Sequence, residues 1–109
     1  MSRGDEDRIA DILEACDRIT RLVARGRAAF DDDDAIAPAI ERLLEIVGEA
    51  TTRLSDGLRA EHPEVPWSNI AGLRVRLAHH YHRTDPQLVW QIAAHSVPEL
   101  AASLRHRTT

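Results

Sequence analysis

Apolar residues recur at intervals of three and four along nearly the whole chain, and the strict alternation of a half-buried strand is absent. In the first segment Ile9, Ile12, Leu13, Cys16, Ile19, Leu22 and Val23 share one stripe, with Asp5, Asp7, Arg8, Asp11 and Arg18 placed elsewhere. That pattern predicts an amphipathic helix over about residues 5–28. Gly26 weakens its last turn, where Arg25 and Arg27 suit the negative end of the helix dipole. A second helix, predicted over about residues 35–60, carries Ile36, Ile40, Leu43, Leu44, Val47, Ala50, Thr51 and Leu54 on one stripe, with Pro38 in its tolerant first turn. The run Asp31 to Asp34 just before it reads as carboxylates near the positive end of that helix's dipole. A metal-binding role is the alternative, but the run lacks the glycine turn and distal glutamate of a calcium loop.

Pro63 and Pro66 break the periodicity, and Trp67, Ile70, Leu73 and Leu77 restart it in a third helix. Asp85 followed by Pro86 predicts the N-cap and first residue of a fourth helix, holding Leu88, Val89, Trp90 and Ile92. Ser96 and Glu99 have capping-box spacing and predict a fifth, with Leu100 and Leu104 as its apolar contacts. The expected fold is all-α, an antiparallel bundle of four to five helices in one domain over residues 1–109. The stripes of the first two helices are wide enough that a homodimer is expected. Gly48 and Ala50 would let another helix approach around Glu49, leaving that carboxylate as a half-buried partner for an arginine or as a rim residue.

Charge changes the picture at one place. The 109 residues carry a net charge of −4, which argues against a nonspecific nucleic-acid coat. Yet from Ile70 to Thr84 there is no acid, while Arg74, Arg76, Arg83, His79, His80 and His82 gather there. All 14 cations of the chain are arginines, the better bidentate partners for phosphate. Cys16 is the single cysteine, so an internal disulfide is impossible and a reducing, cytoplasmic setting is expected. No secretory h-region and no stretch approaching the roughly 18 apolar residues of a membrane span is present.

The basic stretch admits several chemistries. Arg74 and His79 are five apart, about 140° around an ideal helix, and His79 and Tyr81 are about 200° apart. The three meet only if the helix ends or distorts near His79, or if a second subunit completes the site. Together they would form a metal-independent phosphodiesterase set: a histidine taking the proton of a ribose 2′-hydroxyl, and an arginine holding the phosphate. Against this, Arg74 falls with the apolar stripe of Ile70 and Leu77, where a buried arginine needs a carboxylate such as Glu49. The histidines could equally lie on the surface, or His79 and His82 could bind zinc with a third ligand such as His95. Tyr81 could be a packing aromatic.

Read whole, Arg74-Val75-Arg76-Leu77-Ala78-His79-His80-Tyr81 resembles the Arg-x4-His-x-Tyr pattern of the HepT-like toxins in the HEPN superfamily. The flanks resemble it too: Val47-Gly48-Glu49-Ala50, His62-Pro63-Glu64-Val65-Pro66-Trp67, Asp85 with Val89-Trp90, and Val97-Pro98-Glu99-Leu100. The resemblance covers about residues 8–105. It implies a helical HEPN homodimer whose motifs line an interface cleft, acting as a metal-independent endoribonuclease toxin with no cofactor. It implies Arg74 and His79 as catalytic residues. It also implies a nucleotidyltransferase antitoxin that uses ATP to place AMP on Tyr81, where negative adducts would block RNA. Glu49 and His80 are the expected supporting residues. The sequence departs from the family at Val75, where a polar residue is usual, and at His80, where glycine is common. Val75 keeps a second expectation open: an inert helical dimer that binds a nucleotidyltransferase or RNA without cutting.

Overall fold

The computed structural model describes residues 3–73, residue 77 and residues 85–106, and among these every regular element is helical. Helix α1 spans Arg3–Val23, α2 Arg27–Asp32, α3 Ile36–Thr52, α4 Asp56–Glu61 and α5 Trp67–Ala71. Helix α6, Pro86–Gln91, runs through a π-helical turn at Ile92–Ser96 into α7, Val97–Arg105. Helices α1 and α3 lie along one another, and α7 with the π turn covers a second flank of α1. Their sense follows from the contacts: Asp5 near the start of α1 bonds Ser55 just beyond the end of α3. The two helices are therefore antiparallel.

The predicted stripes form the core. Ile12, Cys16, Ile19, Ile40, Leu44 and Val47 are essentially inaccessible, and Val89, Ala93, Val97, Leu100, Ala101 and Leu104 close over them. Removing an Ile or Leu side chain of this kind from water is worth about 1.5–3 kcal/mol. Thr51 is buried too, and its hydroxyl is satisfied by donating to the Val47 carbonyl one turn back, at 2.7 Å. Leu73 and Leu77, both helical, complete the core from the third expected helix.

The helix boundaries differ from the sequence expectation in four places. The first helix does not reach residue 28: it stops at Val23, and Gly26 at φ 96° turns the chain into α2. That angle is strained for any residue with a Cβ, although a Cβ there would meet nothing, so the requirement is backbone conformation and not space. The second helix does not run to residue 60, because Leu54 turns inward and Ser55 starts α4 with its hydroxyl accepting from the Leu58 amide. The aspartate run is not the first turn of a helix. Asp31 and Asp32 end α2, Asp31 pairing with Arg27 at 2.9 Å, and Asp33 takes the Ala35 amide at 2.9 Å.

The fourth difference lies at the expected capping box. Ser96 keeps α-helical angles, φ −70° and ψ −39°, and makes no side-chain cap. Pro98 supplies no amide and its ring crowds the carbonyl four residues earlier. The helix absorbs this by widening: the Val97 amide reaches back to Ile92 in the π turn. By contrast the start of α6 is as expected, with Asp85 accepting from the Gln87 and Leu88 amides and Pro86 in the first turn.

Candidate functional site

Arg74, His79, His80 and Tyr81 lie outside the described residues, as do Val75 and His82. What can be located is the frame on either side of them. The chain reaches this segment through Leu73, held in the core, and leaves it at Asp85, the cap of α6. Before Leu73 stands a tight corner built by the two prolines. His62 ends α4, Pro66 starts α5, and the Trp67 indole N–H donates to the carbonyls of both Arg59 and His62, at 3.1 and 3.0 Å. That indole ties the end of α4 to the start of α5.

Beside this corner is a cleft of about 330 Å³ lined by Glu64, Val65, Pro66, Asn69, Ile70, Leu73, Ile92, Ser96, Glu99, Leu100 and Ser103. It joins the residues just before the basic stretch to the π turn. The Glu64 carboxyl sits below its ordinary range, first because its own backbone amide bonds it and then through Ser103 and His62. His62 is buried, its Nδ1 3.5 Å from Glu64, while its Nε2 has no hydrogen-bond partner. Periodicity could not announce the approach of Glu64 to Ser103, because the two belong to segments far apart in the chain.

Glu49 is on α3, its side chain 42% exposed. An arginine partner is present at Arg53, whose Nη2 lies 3.5 Å from the carboxylate on an exposed edge. Glu49 also shares a groove between α1 and α3 with Arg8, Asp11, Arg42, Glu45 and Arg53. Cys16, the single thiol, is buried and its pKa is raised to about 11 by that burial, so it is protonated at neutral pH and inert as a nucleophile. His95 is exposed on the π turn, and no cluster of three or more metal-binding side chains occurs among the described residues. No helix among them is long and apolar enough to cross a membrane.

Similarity to known proteins extends over almost the entire chain. The family model described as Ribonuclease HepT-like matches residues 12–107, a span that includes the whole basic stretch. The "Probable ribonuclease HepT" of Thermococcus cleftensis is 32% identical over 103 residues, covering 92% of this chain and 92% of its own length. A Caldanaerobacter subterraneus protein named "Putative RNase" is 34% identical over 95 residues, covering 86% of this chain and 85% of its own. No solved structure matches.

Proposed function

Because the chain belongs to the HepT-like ribonuclease family, we propose that it is an endoribonuclease toxin that cuts RNA with Arg74 and His79. The observation that carries this reading is the arginine, histidine and tyrosine spacing of the basic stretch, standing inside a family match to residues 12–107. In the proposed reaction His79 removes the proton of a ribose 2′-hydroxyl, and the resulting oxygen attacks the neighbouring phosphorus. The 5′-oxygen of the next nucleotide leaves and takes a proton, giving a cyclic phosphate end. Arg74 offers paired N–H donors to the phosphate oxygens as charge builds on them. None of these steps calls on a metal ion. A positioned base of this kind contributes about 10² to 10⁴-fold.

A homodimer fits the helical geometry, because a second chain can bring together residues that one straight helix would hold about 140° apart. Glu49 and His80 are the supporting residues of the proposal. Its regulation would run through Tyr81. A nucleotidyltransferase antitoxin joins the Tyr81 phenol oxygen to the α-phosphorus of ATP, releasing pyrophosphate and leaving an anionic adduct beside the catalytic pair.

The test is direct. Induced expression arrests bacterial growth, and His79→Ala relieves the arrest while the circular dichroism spectrum is kept. Purified protein cuts total RNA equally with and without chelator. An equally toxic His79→Ala protein would remove His79 as the base, and chelator-sensitive cutting would replace the mechanism with a metal-dependent one. RNA left intact under all conditions would favour the inert binding module that Val75 motivates. Intact-mass measurement after coexpression with the nucleotidyltransferase shows AMP additions that Tyr81→Phe abolishes.

A further inference from the structure

The groove between α1 and α3 changes character along its length. At one end Arg8, Arg42 and Arg53 are interleaved with Asp11, Glu45 and Glu49. At the other, a recess of about 570 Å³ is walled by Arg18, Arg21, Arg25 and Arg42 over the apolar side chains of Leu22 and Ile46, and no carboxylate stands among its described lining residues. Arg18, Arg21 and Arg25 are exposed, and among the described residues no acid forms an ion pair with them. Arg18 and Arg21, three apart, stand on one side of α1, and Arg25 follows in the turn just beyond its end at Val23, where the recess brings it beside them. Arg42 shares its charge with Glu45 at 3.5 Å, but the other three like charges, held together in a protein of net charge −4, repel one another, and an anionic ligand would relieve that.

We propose that this arginine-walled end of the groove binds the phosphate backbone of single-stranded RNA, outside the Arg74 and His79 segment. The inference rests on the ribonuclease reading and adds a substrate-holding surface to it. RNA is favoured over a protein partner because a stable protein interface is depleted in charge at its centre and anchored by large apolar or aromatic side chains. Here the walls are guanidinium groups, and among the described residues the one large hydrophobic as much as 36% exposed is Leu88, away from the recess on α6. No aromatic side chain lines the recess. Contact is therefore with phosphates and not with stacked bases, and it reads no sequence.

The test uses the full chain and a 2′-O-methyl oligouridine, which carries the same phosphates but lacks the hydroxyl needed for cutting. Fluorescence anisotropy is measured over a range of salt. The triple variant Arg18→Ala, Arg21→Ala, Arg25→Ala binds at least about tenfold more weakly, and its log-affinity slope against log-salt falls by about 2, from roughly 0.7 per lost phosphate contact. Arg59→Gln, which removes an arginine paired with Asp56 on α4, leaves both quantities unchanged. Unchanged affinity and slope in the triple variant overturn the proposal, and if the wild-type protein still cuts RNA the ribonuclease reading stands without it. A triple variant that keeps its RNA affinity but changes its sedimentation coefficient overturns it in favour of a subunit interface. Wild-type protein that neither binds the oligonucleotide nor cuts RNA overturns both readings.

Discussion

Two aspartates guard the starts of two short helices, and they do so in opposite ways. Asp85 caps its own helix: it is exposed, and its Oδ1 accepts from the amides two and three residues on. Asp5 serves a helix fifty positions away. Its carboxylate is 3% exposed, takes the Ser55 amide at 2.9 Å and the Ser55 hydroxyl at 2.6 Å, and so fixes the residue that caps α4. The local cap is worth what an exposed hydrogen bond is worth. The distant one joins α1 to the end of α3 and the start of α4, and its carboxylate is shielded from water, so its loss takes the partner from two part-buried Ser55 donors. Residue type alone does not set a carboxylate's structural weight; the dielectric around it and the distance it spans do.

This comparison is open to experiment. Asp5→Ala is expected to have the largest effect, about 3 kcal/mol in urea unfolding, since hydrogen bonds to charged groups contribute about 1.5–3 kcal/mol each. Ser55→Ala should lose about 2 kcal/mol, combining the α4 cap with one of the Asp5 bonds. A double-mutant cycle on these two residues should therefore be strongly non-additive, and additive losses would show that they act independently. Asp85→Ala should lose only about 1 kcal/mol, the usual worth of an N-cap. Equal losses at Asp5 and Asp85 would erase the distinction. In native-state hydrogen exchange the Ser55 amide should open with the global unfolding reaction, and the Gln87 and Leu88 amides well before it.

Glu64 supplies the smallest and most discriminating case, because it combines both kinds of contact. Its own amide is the leading cause of its lowered pKa, and Ser103, thirty-nine positions on, is a lesser one. A carboxyl with a depressed folded-state pKa contributes stability above its ordinary value of 4.5, and that contribution is lost as the pH falls through the folded-state value. Glu64→Gln should therefore flatten the acid limb of a pH–stability curve slightly. Ser103→Ala should do so less, because the local amide dominates.

The candidate functional residues were legible to a different degree from the fold. The spacing from Arg74 to Tyr81 is a feature of the sequence and needed no coordinates to be noticed. The four arginines walling the α1 and α3 groove were not legible as a group. Arg18 and Arg21 share α1 and Arg25 follows in the turn after it, but Arg42 comes from α3, and only packing puts it beside them. The same is true of Glu64 and Ser103, which meet only across the cleft.

By itself the sequence determined the all-helical build, the apolar faces of the long helices and the Asp85 cap, because these depend on neighbours at most three or four positions apart. Every residue of the stripe from Ile36 to Leu54 is buried as the period required. Tertiary structure decided where those helices stop. Leu54 gains more by entering the core than by extending α3, the buried Asp5 fixes Ser55 at the following turn, and Pro98 is absorbed as a π turn because the flanking apolar faces hold the rod together. These are balances between a local hydrogen bond and burial supplied by distant residues, and the distant term exists only once the chain has folded.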